Sequence, residues 1–309
     1  MIRLATPTIK LDLLPRFGAR WIRLQTRIDG NWTDILWPPP ALRHIEKNPL
    51  FGGAFLMAPW CNRIPGGKFT VKREGLQLRS NFPDGSAIHG DVYSRPWQVA
   101  SASPTSVSLT LDTKQETDFN FPFDFRFGHR IKITGPRIEA SFGAMNMSDE
   151  PAPVGLGFHP FFLKRLTPHG KPAVITIPAA NYFPSEKAIP TGPAKPVSGR
   201  YDARSGLSLA DHTFDTGYTG FKGRPVSLFY PDERFEMWLM PGADARHLFV
   251  WAPPYYEGRS APFVCTEPMS MSVNGFERRE QKAWDHGVQM LAPRERFSIS
   301  WSIEFSGRF

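Results

Sequence analysis

The sequence predicts an all-β protein, built as a large antiparallel β-sandwich. Three observations predict it. Short segments alternating apolar and polar side chains recur along the chain, each bounded by turn residues, and a period of two is the mark of a half-buried strand. The 31 prolines and 26 glycines are spread through all 309 residues without a repeating period, and proline is hard to place inside a helix or a central strand. Hydrophobic residues make up 41% and aromatics 13%, with 25 Phe and 9 Trp, which is ample material for a large core and argues against disorder.

Taken in order, Thr8–Leu13, Ala19–Thr26 and Trp32–Leu36 read as three strands. The turns between them run from Pro15 to Gly18 and through Asp29-Gly30-Asn31, where glycine tolerates the positive φ of a tight hairpin. Trp37 and Pro38-Pro39-Pro40 end this meander, and Ala41–Lys47 reads as a short helix. Strand patterns resume at Gln98–Ala102, Ser106–Asp112, Phe125–Thr134 and Ile138–Met147. The turn Gly135-Pro136 marks Arg130–Thr134 and Arg137–Phe142 as antiparallel neighbours. Residues 184–206 are rich in Pro, Gly, Ser and Lys and form either a loop or a poorly ordered excursion. Beyond them come Val226–Tyr230, Phe235–Met240, His247–Ala252, Pro262–Cys265 and Arg296–Phe305, with one short helix candidate at Gly275–Trp284. So many strands overfill one small barrel, and two large sheets packed face to face fit best. Strand patterns on both sides of 184–206 favour a single domain over residues 1–309.

Charge and cysteine usage narrow the class. The formal charge of +8 arises from scattered basic residues, and local clusters such as Glu277-Arg278-Arg279-Glu280 are mixed in sign. That pattern reads as solvated surface, so no nucleic-acid partner is expected. Cys61 and Cys265 form neither a disulfide framework nor a metal cage, and buried reduced thiols are the expected state. The N-terminus MIRLATPTIKLDLLPRF lacks the apolar core and cleavage site of a signal peptide, and no window approaches 18 apolar residues. A cytoplasmic protein without a membrane partner is the expectation, as monomer or homodimer.

The chemistry concentrates between Gly52 and Trp97. An Asn-Arg pair, Asn62 and Arg63, follows an apolar run, and His89 is pinned between Ile88 and Gly90. His159 stands in Gly157-Phe158-His159-Pro160-Phe161-Phe162, framed by glycine, proline and aromatics that leave space for a ligand near the backbone. Glu267 ends the apolar run Phe263-Val264-Cys265-Thr266, where desolvation would raise its pKa toward that of a useful base. Taken singly, each has a plain structural reading. Either histidine suits a core position bonded to a carbonyl, Glu267 suits an ion pair with Arg63, and Asp215 suits a turn cap. There is no HExxH, no clustered His and Cys, no GxSxG elbow, no Walker loop and no dinucleotide fingerprint.

Together these segments resemble the aldose 1-epimerase (galactose mutarotase) family. The matching pieces are Ala58-Pro59-Trp60-Cys61-Asn62-Arg63-Ile64, Ile88-His89-Gly90, Asn146, the GFHPFF run, Phe214-Asp215 through Gly223, and Thr266-Glu267-Pro268. They stand in the family's order across nearly the whole chain. The better-known galactose mutarotases carry a Thr-Asn-His-Tyr-Phe-like run, so GFHPFF places this chain in a divergent branch. The resemblance implies a galactose-mutarotase-like supersandwich with a sugar groove on one sheet. It also implies Glu267 as general base, His159 as general acid and His89 as a second pocket histidine. Arg63, Asp215 and Asn62 would bind the substrate, with Asp211 a competing alignment for Asp215. Trp60 or Phe161 would stack on the sugar.

Such residues suffice for anomer interconversion. A base takes the proton of the anomeric hydroxyl, an acid protonates the ring oxygen, and the opened aldehyde rotates before closing on its other face. The carboxylate and imidazole are expected on opposite sides of the hemiacetal. No metal or cofactor is implied, and the partner is a small-molecule sugar. The alternatives are a hexose-6-phosphate 1-epimerase and a non-catalytic carbohydrate-binding protein on the same fold.

Overall fold

A computed structural model of the chain describes residues 1–39, 42–283 and 285–307. Two large antiparallel sheets dominate it. The first has eleven strands, running from Ile2–Ala5 and Ile9–Leu14 through Arg20–Ile28, Ala54–Met57, Gly157–Leu163, Phe263–Met269, His247–Ala252 and Phe214–Thr219 to short edge pieces, with Asn31–Asp34 paired to Arg20–Ile28. The second has nine strands and runs from Gln98–Ala102 through Ser106–Asp112, Phe125–Thr134, Arg137–Asn146, Arg296–Ser306, Phe235–Pro241, Val226–Tyr230 and Val174–Thr176 to Leu207–Ser208. The expected β-sandwich is the fold.

Side chains of both sheets share one core. Phe158 of the eleven-stranded sheet stacks on Trp301 of the nine-stranded sheet, with centroids 4.5 Å apart, and touches Trp21 at 4.9 Å. The Tyr230 hydroxyl crosses between the sheets to donate to the Leu163 carbonyl at 2.8 Å. This satisfies a phenol that burial would otherwise leave costly. The nine-stranded sheet has one wet face, and its long strands alternate accordingly. Phe125, Phe127, His129, Ile131 and Ile133 point inward, whereas Arg126, Arg130, Lys132 and Thr134 are exposed. The central strands of the eleven-stranded sheet are covered on both faces, so Gly157–Leu163 and Phe263–Met269 are buried almost throughout.

Several sequence expectations shift here. The strand expected at Trp32–Leu36 lies at Asn31–Asp34, and Leu36 keeps only an isolated bridge to Phe162. The strand expected to stop at Cys265 continues to Met269 and carries Glu267 in its interior. The short helix expected at Ala41–Lys47 is observed as Leu42–Lys47, Ala41 lying outside the described residues. The second, expected at Gly275–Trp284, is observed as Gly275–Glu280, and Trp284 also lies outside them. Residues 184–206 are tied down rather than loose. Arg278 donates to the Gly192 carbonyl at 3.1 Å, Asp285 accepts from Ala194 N at 3.0 Å, and these two buried side chains pair with each other. No helix of the described residues is long and apolar enough to cross a membrane.

Candidate active site

Four strands of the eleven-stranded sheet, Gly157–Leu163, Phe263–Met269, His247–Ala252 and Phe214–Thr219, supply the floor of a cleft. Gly157 pairs with Met269 and Phe161 with Cys265, which sets His159 opposite Glu267. His159 pairs on its other side with Phe55, and Glu267 with Phe249. One row across the sheet therefore reads Phe55, His159, Glu267, Phe249. The next row reads Phe161, Cys265, Trp251, Asp215. Because side chains alternate along a strand, both rows face the same way, and Phe158 and Thr266 face the core instead. Pro160 and Pro268 have no N–H to give the ladder between those paired positions.

A two-strand ribbon forms the rim, with Arg63 of Arg63–Ile64 paired to Ile88 of Ala87–Ile88. Asn62 and His89 flank it, both left-handed at φ 54° and 63°, and the His89 N–H donates to the Asn62 carbonyl at 3.1 Å. Gly90 is required here, since a Cβ at that position would lie 1.8 Å from the Ala58 carbonyl oxygen. His89 is thereby held edge-on to His159, ring centroids 4.8 Å apart, with its Nδ1 2.8 Å from the Met57 sulfur.

The cleft measures about 420 Å³ out to its mouth. Asn62, Arg63, His89, His159, Asp215 and Glu267 all line it, so the six residues singled out from sequence come together. Its remaining walls are apolar: Leu50, Phe51, Phe82, Ile88, Phe161, Phe249 and Trp251. Asp215 sits exposed at the opening, and Asp211 lies on an exposed turn outside the lining. Trp60 is a correction. It is fully buried in the core, its indole donating to the Ala87 carbonyl at 3.2 Å, and it cannot stack on a ligand in the cleft.

Glu267 is only 1% exposed, and its Oε1 lies 3.3 Å from His159 Nε2. The two groups stand side by side on the floor, not on opposite sides of a ligand, because they occupy adjacent strands in one row. Arg63 does not take Glu267 as its ion pair. Its guanidinium donates to Asp84 at 3.0 Å and to the Asn62 side chain at 3.4 Å, and lies 5.0 Å over Phe82. Glu267 Oε2 and His159 Nδ1 are buried without hydrogen-bond partners among the described residues.

Burial governs the protonation of these groups. It raises the Glu267 pKa well above the ordinary carboxylate value, with the Arg63 cation working against the rise and Asp215 adding to it. It lowers the pKa of His159, helped by the Arg20 cation, and that of His89, helped by His159 and Arg63. The Asp215 carboxyl is raised by desolvation and pulled back by Arg63. Burial thus pushes both members of the Glu267–His159 pair toward their uncharged forms, a carboxylic acid beside a neutral imidazole. The thiols of Cys61 and Cys265 are free, buried and raised by the same desolvation. Cys61 lies beside Gly157 and Cys265 opposite Phe161, roughly 13 Å apart along the strand at about 3.3 Å per residue, too far for a bridge.

Donor atoms of His89, His159 and Glu267 lie within 4.8 Å of one another. Zinc sits about 2.0–2.1 Å from nitrogen and oxygen donors, so a span that wide would have to contract before one ion was held.

Residues 3–283 match the family model described as aldose 1-epimerase, a span that includes every residue of the cleft. The chain belongs to the aldose 1-epimerase family. Among its relatives is the uncharacterized protein YphB of Escherichia coli K12, 25% identical over 302 residues, covering 96% of this chain and 95% of that one. Two solved structures share the fold. A galactose mutarotase-like protein from Clostridium acetobutylicum superposes with a TM-score of 0.85 at 16% identity, covering 99% and 95% of the two chains. Galactose 1-epimerase from Lactobacillus acidophilus NCFM gives 0.77 at 16% identity, covering 98% and 93%. Within this aldose 1-epimerase family member, sequence reasoning missed the apolar walls formed by Leu50, Phe51, Phe82, Phe249 and Trp251. Trp251 and Phe249 were open to discovery, since they are the same-face residues of a strand that the alternation predicts.

Proposed function

We propose that the protein is an aldose 1-epimerase that interconverts the α and β anomers of a hexose or related free sugar. One observation carries the reading: a buried carboxylate and a buried imidazole, 3.3 Å apart, on the floor of the cleft. The two oxygens that exchange protons during ring opening are bonded to the same anomeric carbon. A neighbouring acid and base can therefore reach both. Moving the shared proton from Glu267 to His159 creates both at once. Glu267 then removes the proton of the anomeric hydroxyl while His159 protonates the ring oxygen, and closure on the other face reverses both transfers. His89, Asn62, Arg63 and Asp215 would hold hydroxyls, and Phe161 or Trp251 would cover the apolar face of the ring. Excluding water from so buried a floor strengthens each of these polar contacts.

The cleft chemistry favours neutral sugars over hexose 6-phosphates. Arg63 is the one cation among the described lining residues, and Asp84 already engages it. A phosphate entering there would also meet Asp215 and Asp84. The reading is tested by Glu267→Gln, which preserves shape and removes the proton acceptor. Anomer exchange followed by polarimetry should be lost while sugar binding remains; full activity in this variant would remove Glu267 from the mechanism and reopen the non-catalytic alternative.

A further inference from the structure

Arg20 begins the strand Arg20–Ile28 and is fully buried. No ion pair to it exists among the described residues, and its Nε has no hydrogen-bond partner. A buried, unpaired guanidinium lowers stability relative to an apolar side chain of similar volume, so its presence calls for a compensating role. Its contacts suggest one. The guanidinium donates to the Gly52 carbonyl at 2.8 Å, to the Phe51 carbonyl at 3.2 Å and to the Pro49 carbonyl, three acceptors of a single loop. That loop presents Leu50 and Phe51 to the cleft. It is joined to the floor where Phe161 N donates to the Gly53 carbonyl at 2.9 Å.

The same guanidinium lies 4.8 Å over the ring of Phe55. Phe55 stacks on His159 at 4.6 Å and 24°, and His159 stacks in turn on Phe161 at 4.8 Å and 21°. One planar cation thus touches both the wall of the cleft and the ring that backs the imidazole. We propose that Arg20 is a positioning residue, clamping the Asn48–Gly53 loop as a cleft wall and acting through Phe55 on the imidazole of His159. The inference rests on the cleft being the site of epimerisation.

The two effects are separable. The fork of the guanidinium matches several carbonyls at once, and a lysine ammonium does not reproduce it. The charge, by contrast, survives in lysine. Burial draws the Arg20 pKa down to about 9, which leaves it cationic at neutral pH. A cation near His159 disfavours the imidazolium and so makes it a stronger acid. The other groups facing His159 are Glu267 at 3.3 Å and His89 edge-on; Arg63 and Asp215 act on Glu267, and Tyr93 lies near Phe55 and Arg20.

The test compares wild type, Arg20→Lys and Arg20→Met by calorimetric titration with a free hexose and by NMR titration of His159 with labelled imidazole. Arg20→Lys should weaken sugar binding several-fold and leave the His159 titration near that of wild type. Arg20→Met should weaken binding similarly and move the His159 titration, with both limbs of the pH–rate profile, to higher pH. A folded Arg20→Met with wild-type affinity and an unmoved titration overturns the proposal. Should Arg20→Met not fold, Arg20→Lys combined with Phe51→Ala decides: non-additive losses of affinity are expected, and fully additive losses overturn the clamp. Failure of the wild type to exchange anomers would instead sink the epimerase reading, and the His159 titration would still report on Arg20.

Discussion

The two sheets of this sandwich face different surroundings, and the difference organises the molecule. The nine-stranded sheet gives one face to the core and the other to water, so Phe125–Thr134 alternates buried and exposed along its length. The centre of the eleven-stranded sheet is covered on both sides, by the core beneath and by the rim and walls of the cleft above. There the alternation separates two kinds of burial. On the strand Gly157–Leu163, Phe158 serves the core and its neighbour His159 serves the site. A polar group on the outer face of the nine-stranded sheet is solvated at no cost, whereas one at the centre of the eleven-stranded sheet must find a partner or shift its pKa.

Breaking the comparison at Glu267 should give the largest effect. His159→Asn or Glu267→Gln should lower the exchange rate by about 10²–10⁴-fold, the usual range for a lost acid or base. Far-UV circular dichroism should stay unchanged. One residue away, Phe158→Ala should do the reverse. Deleting a ring packed between Trp301 and Trp21 should cost about 3–5 kcal/mol of stability, read by denaturant titration, with the rate per folded molecule largely kept. A variant of Phe158 that stays stable yet is inactive would contradict the division of faces.

The pKa shifts give a smaller effect with a defined sign. Glu267 has a raised folded-state pKa, so above the ordinary value of 4.5 the native state keeps a proton that the unfolded chain has lost, and stability falls as pH rises through that window. Glu267→Gln removes this dependence and should be more stable than wild type at neutral and alkaline pH, with the gap closing in acid. His159 has the opposite shift. Its contribution is lost as pH falls below its ordinary value of 6.5, so His159→Asn should soften the acid side of the stability profile. Thermal melts across pH 4 to 9 check both, and a Glu267→Gln variant less stable than wild type at high pH would contradict the burial argument. The smallest effect belongs to the wet face: Arg130→Ala or Ser300→Ala should change stability by no more than about 0.5 kcal/mol and leave the kinetics unaltered.

The same contrast explains what the sequence made legible. Ser106–Asp112 and Phe125–Thr134 were predicted to the residue because one wet face imposes a period of two. Ala54–Met57, Gly157–Leu163 and Phe214–Thr219 were not predicted as strands, since burial on both faces erases the alternation, and Gly157, Pro160 and Gly217 within the last two read as turn residues. The strands that carry the chemistry were thus the least readable ones, and only their motifs pointed to them. Those motifs brought Asn62, Arg63, His89, His159, Asp215 and Glu267 into one cleft. They could not say which aromatics face it. Trp60 belongs to the core, while Phe51 and Trp251 line the wall, because exposure of a ring is decided by packing between segments distant in sequence.

A double-mutant cycle on anomer exchange goes straight to the shared-proton pair. Rates for wild type, Glu267→Gln, His159→Asn and the double variant can be read by NMR exchange spectroscopy on a free hexose. If carboxylate and imidazole work as one unit, each single change removes nearly all the acceleration and the double variant is no slower than the worse single. Near-wild-type exchange in either single variant, or losses that simply multiply in the double, would mean that the two neighbours do not act together on the sugar.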